Sequence, residues 1–213
     1  MSTIKPALIF DFGNVIAFFD YTRACDVLGK TLGLSGIEFL EQLRARGLTP
    51  LLEAYEHGRV ATLDFSRSFC KLAGLDITHD EFVRHWGNIF SLNEPIARLA
   101  VDLKRLGYTV LLGSNTNELH AAHFRRQFAE TLSHFDRLVL SHEIGVMKPA
   151  GEFYEACASA ARRPAEQCIF IDDILENVEG ARRAGLLGLH YRDTPTLLAE
   201  LRQLGVQIDR GKL

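Results

Sequence analysis

Ala7-Leu8-Ile9-Phe10-Asp11-Phe12-Gly13-Asn14 is the stretch on which the fold turns: four apolar residues in a row, stopped by an aspartate and a polar turn. A short unbroken apolar run ending at a turn is the mark of a strand covered on both faces, and such strands lie inside parallel sheets. The run is too short, and too abruptly ended by Asp11, to be a signal peptide or a membrane span. Three later runs repeat the pattern. Thr109-Val110-Leu111-Leu112 ends in Gly113-Ser114-Asn115, Leu138-Val139-Leu140 ends at Ser141, and Cys168-Ile169-Phe170-Ile171 ends at Asp172-Asp173. Helical spacing predicts helices over 96–106, about 152–162, 176–184 and 195–204, with a further strand over 187–191. Strands alternating with helices build right-handed βαβ units, so the expected fold class is α/β: a Rossmann-like parallel sheet flanked by helices.

Between Tyr21 and about Phe90 the character changes. Apolar residues recur at helical spacing, as in Ala24, Val27, Leu28 and Leu32, then Phe65, Phe69 and Leu72, then Phe82, Trp86 and Phe90. Breakers at Gly33, Gly36, Gly47, Pro50, Gly58, Gly74 and Pro95 cut this block into short helices, and no strand is expected within it. The expected division is therefore a sheet domain over 1–18 and 93–213 with an all-helical insertion over 19–92.

Composition agrees and excludes several classes. The 213 residues are 47% hydrophobic and 24% charged, which fits an ordinary globular chain and not a disordered, collagen-like or disulfide-scaffold one. Twenty-four basic against 27 acidic residues give a net charge of −3, and without a basic block no nucleic-acid partner is expected. Cys25, Cys70, Cys157 and Cys168 stand at wide spacing with no C-x-x-C pair, and read as reduced, packed thiols in a cytoplasmic protein without a membrane partner.

In open parallel sheets ligands bind at the carboxyl ends of the strands. The residues found there are Asp11 and Gly13, Ser114 and Asn115, Lys148, and Asp172 and Asp173. Three carboxylates repel one another unless a hard cation lies among them, and oxygen ligands of this kind suit Mg²⁺. A lysine and neutral donors beside a metal make a receptacle for a phosphoryl group, and a carboxylate in it can act as nucleophile. His120 and His123, three apart on an expected helix, lack a third ligand and read as a surface or half-buried helix face rather than a metal pair.

The ordered set Asp11-Phe12-Gly13-Asn14-Val15, Ser114-Asn115-Thr116, Lys148-Pro149 and Asp172-Asp173 with Asn177, Gly180 and Ala181 resembles the four motifs of the haloacid dehalogenase superfamily. The helical insertion sits where that family's helical C1 cap sits, and the motif wording is most similar to its bacterial glucose-1-phosphatase-like branch. The resemblance implies a phosphatase of a small phosphorylated substrate, such as a sugar phosphate. Asp11 would be nucleophile and metal ligand, with Gly13 (through its carbonyl), Asp172 and Asp173 as the other ligands of Mg²⁺. Ser114, the Asn115 amide and Asn14 would meet the substrate, and Lys148 would hold Asp11 and the phosphate together.

One departure matters. Most phosphatases of the family carry a second aspartate two residues after the nucleophile, where this chain has Gly13. Glycine moves no proton, and a missing general acid/base typically costs about 10²–10⁴ in rate. Either the leaving group needs little help, or another group supplies the proton, or the activity is weak. The turn Glu56-His57-Gly58-Arg59 is the expected specificity loop, in which His57 or Arg59 would touch the substrate or replace the acid; it also reads as a plain charged turn. Phe18, Phe19 and Tyr21 are expected in the hinge and cap packing. Two other readings stay open. A 2-haloacid dehalogenase would use the same aspartate without a metal, and a non-catalytic relative would keep only the fold.

Overall fold

The computed structural model describes residues 5–208. The ends of the expected sheet domain, 1–4 and 209–213, lie outside the described residues. The chain enters through β1 (Ala7–Phe10) and β2 (Ala17–Phe19) and then forms α1 (Tyr21–Lys30), α2 (Gly36–Ala45), α3 (Leu48–Glu56), α4 (Thr62–Ala73) and α5 (His79–Trp86). It returns through β3 (Phe90–Leu92), α6 (Glu94–Arg105) and β4 (Thr109–Ser114), followed by α7 (Glu118–Gln127), α8 (Ala129–Leu132), β5 (Arg137–Leu140) and α9 (Ser141–Ile144). The last part is α10 (Gly151–Ala161), β6 (Cys168–Asp172), α11 (Leu175–Arg183), β7 (Leu187–His190) and α12 (Thr194–Gln203).

The main sheet has the order β5-β4-β1-β6-β7, and every pairing in it is parallel. β1 is its centre: Phe10 pairs with Leu112 on one side and Ile171 on the other. Alternation along β1 divides the core by the pleat. Leu8 and Phe10 pack with Ile96, Leu99, Phe124 and Leu201, while Ala7 and Ile9 pack with Phe153, Tyr154, Cys157 and Ala181. With both faces covered, no position in the run can be polar, which is why its four residues are all apolar and all buried. The chain leaves β1 toward β4 on one side and later reaches β6 on the other, so the carboxyl end of β1 is the topological switch point where a crevice opens.

Strand and helix boundaries follow the expected ones within a residue or two. β4 runs on through Gly113 and Ser114 because those residues pair with Val139 and Leu140 of β5. The block from Tyr21 to Trp86 is helical as expected, and the sequence reading does not include the short antiparallel ribbon of β2 and β3 that flanks it, with Phe18 opposite Ser91. Three residues per strand are too few for a period-2 pattern to register.

The five helices between β2 and β3 share an aromatic core. Tyr55 stacks on Phe65 at 4.2 Å between ring centroids, and Phe69 meets Trp86 at 4.6 Å. Cys25, Cys70, Cys157 and Cys168 are free thiols. Among the described residues no helix is long and apolar enough to cross a membrane.

Candidate active site

Four strand ends deliver one cluster. Asp11 follows β1, its N–H still laddered to the Ile171 carbonyl at 2.8 Å, so the sheet itself fixes where its side chain starts. Lys148 arrives on the segment after α9, and its backbone is held by Asn115: the lysine N–H donates to Asn115 Oδ1 at 2.8 Å, and Asn115 Nδ2 donates to the lysine carbonyl at 3.1 Å. Behind it, a Cβ added at Gly180 would stand 2.9 Å from the Pro149 carbonyl, so only glycine lets α11 close on the Lys148-Pro149 turn.

Lys148 Nζ lies 2.7 Å from Asp11 Oδ1 and 2.7 Å from Asp172 Oδ2, with the Gly113 carbonyl at 3.3 Å. All three charged groups are buried. Asp11 Oδ1 also accepts the Phe12 N–H at 2.7 Å, and among the described residues no hydrogen bond reaches Oδ2. Asp172 is fuller: its Oδ1 accepts from the Ile174 N–H at 2.9 Å and from Asn177 Nδ2 at 3.1 Å. Asp173 accepts from Asn14 Nδ2 at 3.0 Å. Asn14 sits in the left-handed region at φ 55°, which turns the chain sharply after Gly13 and aims the amide at Asp173.

One ammonium faces three carboxylates, a local charge of 1 − 3 = −2. Burial, against the pull of Lys148 and with the help of Asp172 and Asp173, raises the Asp11 carboxyl to about 7. Asp173 is raised by burial and by Asp172 against the pull of Asn14. Burial would lower Lys148, but Asp11 and Asp172 more than reverse it, and the amine is held above its ordinary range. Oxygens of Asp11, Asp172 and Asp173 all lie within 4.8 Å of one another. Opposite ligands of a Mg²⁺ ion stand about 4.2 Å apart at its ~2.1 Å coordination distance, so carboxylates gathered this closely suit a hard divalent ion, held directly or through water, that would relieve the excess charge.

A cavity of about 80 Å³ opens beside the cluster, between strand ends and insert. Gly13, Ser114 and Asn115 form its sheet side; Phe19, Tyr21 and Glu56 close it from the insert side. Clefts of about 390 Å³ along α6 and about 520 Å³ between α3 and α7 hold none of the strand-end residues. A Cβ added at Gly13 would stand 3.0 Å from the Phe19 ring, so that ring occupies the space a side chain at position 13 would need.

The remaining expected site residues divide. The Ser114 hydroxyl is buried at the cavity and donates only a long 3.3 Å bond to the Asn115 carbonyl. Asn14 is turned to Asp173 rather than to the cavity. His57 is occupied by its own helix, with Nδ1 2.9 Å from the Glu53 carbonyl, and Arg59 is exposed; neither lines the cavity. Their neighbour Glu56 does. The alternation of charged residues in that turn could have pointed to Glu56, but its place depends on how the insert packs on the sheet.

His120 corrects the surface or half-buried reading of its helix face: it is buried. Asn117 Nδ2 donates to its Nδ1 at 3.0 Å and its Nε2 meets the Trp86 carbonyl at 3.2 Å, which defines the neutral Nε2–H tautomer and leaves no nitrogen for a metal. Burial lowers its pKa to about 4, opposed by the Trp86 bond.

A buried carboxylate at the switch point of a parallel sheet, braced by lysine and two further aspartates, defines a hydrolase site on a Rossmann-like scaffold. The family model of the haloacid dehalogenase-like hydrolases matches residues 6–185, and the chain belongs to that family. It is 32% identical over 191 residues to Phosphatase MT3486 of Mycobacterium tuberculosis, covering 84% of each chain. It is 27% identical over 191 residues to D-ribitol-5-phosphate phosphatase of Bacteroides thetaiotaomicron, covering 84% of this chain and 87% of that one. Bifunctional epoxide hydrolase 2 of Rattus norvegicus matches at 30% over 128 residues, and the match spans 23% of that protein. A crystal structure of a haloacid dehalogenase family enzyme from Bacteroides thetaiotaomicron, in complex with magnesium and inorganic phosphate, superposes with a TM-score of 0.75 at 23% identity, covering 91% of this chain and 98% of that one.

Proposed function

We propose that the protein is a Mg²⁺-dependent phosphomonoester hydrolase of a small soluble sugar phosphate, working through an aspartyl-phosphate on Asp11. The observation that carries this is Lys148 bridging Asp11 and Asp172 at 2.7 Å each while, among the described residues, Asp11 Oδ2 accepts no hydrogen bond. Asp11, Asp173 and the Gly13 carbonyl would hold the metal directly. Asp172, whose oxygens already serve Lys148, Ile174 and Asn177, would reach it through water. When bound, Mg²⁺ supplies positive charge that offsets the excess of carboxylates and the negative charge of the phosphoryl group.

Asp11 attacks phosphorus, the bond to the leaving oxygen breaks, and a water then cleaves the aspartyl-phosphate at phosphorus to return the carboxylate and release inorganic phosphate. Ser114, freed from its long bond, and the Asn115 N–H meet the phosphoryl oxygens. The Asn115 side chain is already engaged in holding Lys148. The cavity of about 80 Å³ accepts the phosphoryl group but falls below the roughly 300–1,000 Å³ of ordinary small-molecule sites, so the helical insert acts as a cap that opens to admit the organic part. The ribitol-5-phosphate and mycobacterial phosphatases among the relatives support a phosphorylated substrate. The four free thiols support a reducing, cytoplasmic setting.

A phosphate-release screen over sugar phosphates and nucleotides tests this, run with Mg²⁺ and with excess chelator. Activity that disappears on chelation and returns with Mg²⁺ is expected. Full activity in chelator, or chloride release from a 2-chloroacid in place of phosphate release, overturns it.

A further inference from the structure

Phe19 fills the place where the family's second aspartate would stand, so the proton that the leaving oxygen needs has to come from elsewhere in the cavity wall. Three titratable side chains line that wall: Tyr21, His120 and Glu56. Tyr21 is half-buried against Trp86 and desolvation pushes its phenol above the ordinary range, so it stays protonated and cannot act as a base. His120 has both ring nitrogens engaged, to Asn117 and to Trp86, and cannot turn to the substrate. Glu56 remains. Among the described residues no hydrogen bond or ion pair engages its carboxyl.

The backbone of Glu56, in contrast, is fixed to the sheet domain. Ser141 Oγ lies 2.7 Å from the Glu56 carbonyl and accepts the Thr116 N–H at 2.9 Å, tying the end of α3 to the segment that follows the Ser114-Asn115 strand end. Gly58, at φ 68°, packs so closely that an added Cβ would stand 2.3 Å from the His142 carbonyl. Tyr55, one residue before, accepts the Leu119 N–H at 3.0 Å. The turn is thus docked by side chain-to-backbone hydrogen bonds and by the close approach of Gly58 to His142, and among the described residues the carboxyl at the cavity has no partner.

Resting on the phosphatase reading above, we propose that Glu56 is the general acid/base of this enzyme, delivered by the cap in place of the residue absent at position 13. Protonated Glu56 gives its proton to the leaving oxygen as the bond from phosphorus to that oxygen breaks and the bond from Asp11 forms. The resulting carboxylate then takes a proton from water as that water attacks the aspartyl-phosphate; Asp11 leaves, inorganic phosphate forms, and Glu56 is again protonated. The charged and titratable groups facing it are Glu53 on its own helix, Tyr21 from α1, His120 from α7 and Lys148 from the segment before α10. Burial and Glu53 push its carboxyl up to about 7 and Lys148 draws it down, which matches a group that must both give and take a proton near neutrality.

The test compares Glu56→Gln with wild type on a sugar phosphate and on p-nitrophenyl phosphate, whose leaving group needs no proton. The substitution keeps the backbone carbonyl that docks the turn, and a melting curve checks that both proteins fold alike. With the sugar phosphate, kcat is expected to fall by about 10²–10⁴-fold with little change in KM. With p-nitrophenyl phosphate, the variant is expected to release about one equivalent of nitrophenol per site at near wild-type rate and then stall, with acid-stable or rapidly quenched phosphoprotein accumulating on Asp11. Glu56→Asp, which keeps the acid on a shorter arm, restores part of the turnover. If Glu56→Gln slows nitrophenol release in the first turnover as much as it slows the sugar phosphate, or changes KM alone, Glu56 is not the proton carrier. Wild type that releases phosphate from no ester overturns the phosphatase reading itself, an outcome separate from an active wild type matched by an equally active Glu56→Gln.

Discussion

Asp11, which stands beside the cavity, and Glu56, which lines it, are both carboxylic acids, but the chain places them in different ways. Asp11 stands one residue past a central strand, with its backbone in the ladder and its side chain between Lys148 and the Phe12 N–H. Glu56 ends a helix of the insert, with its backbone pinned by one serine hydroxyl and its side chain without a partner among the described residues. The sheet domain supplies groups whose position is fixed several times over, suited to holding charge still. The insert supplies a group fixed through one docked turn, suited to arriving with the substrate and leaving with the product.

Breaking the sheet side is expected to have the largest effects. Asp11→Asn removes the nucleophile while leaving a side chain of the same shape, and phosphate release should fall by about 10⁴–10⁶-fold, the scale seen when a nucleophile or its partner is lost. A residual rate within tenfold of wild type would move the nucleophile elsewhere. Lys148→Met comes next. It leaves Asp11 and Asp172 buried without their shared cation, which typically costs about 3–5 kcal/mol. Denaturant unfolding at neutral pH measures that loss. Mg²⁺ should recover part of it, since the metal opposes the same excess charge; a variant as stable as wild type without metal would show that Lys148 holds nothing together.

The same contrast explains what could be read from the residues alone. The four strands whose ends make the site were legible because burial on both faces forces unbroken apolar runs, and the polar residues that stop each run then name the site. The helices after Pro95 were legible for the matching reason, a period of 3.6 bounded by glycines and prolines. The ribbon of β2 and β3 was not, because Ala17-Phe18-Phe19 is too short to show a period. Nor was it legible which side chain of the turn at 56–59 lines the cavity. His57 and Arg59 carry the more conspicuous chemistry, but which side chain faces the cavity depends on the angle at which α3 meets the sheet, a property of packing spread over Tyr55, Ser141 and His142. His120 misled for a similar reason: a polar residue on an expected helix reads as exposed until its burial partners, Asn117 and Trp86, are known.

On the insert side the expected effects are smaller. Gly58→Ala places a side chain at φ 68° and 2.3 Å from the His142 carbonyl, so either the turn lifts or the backbone strains. A cost of about 1–3 kcal/mol is expected. Because the displaced turn carries Glu56, kcat on a sugar phosphate should fall while the first-turnover release of nitrophenol from p-nitrophenyl phosphate stays near wild type. Equal losses on both substrates would mean that the turn shapes the phosphate site as well.

The smallest expected effect separates the two regions by sign. Glu56 has a pKa near 7 in the folded protein against 4.5 for an ordinary glutamate. Between those values the folded state binds more protons than the unfolded one, so its contribution to stability is present below about pH 4.5 and is lost as the pH rises through about 7. Glu56→Gln removes that titration. The variant should match wild type near pH 4.5 and exceed it by about 1 kcal/mol at pH 8, a modest figure because the half-buried carboxyl is partly screened by water. Melting temperatures across this range, in chelator so that the metal cluster is constant, give the comparison at about 2–4 °C per kcal/mol. A variant less stable than wild type at pH 8 would mean that the ionised Glu56 is held by a favourable partner, and is then no more free to carry a proton than Asp172. A variant more stable but slower is the result expected of a residue kept for chemistry at a cost to the fold.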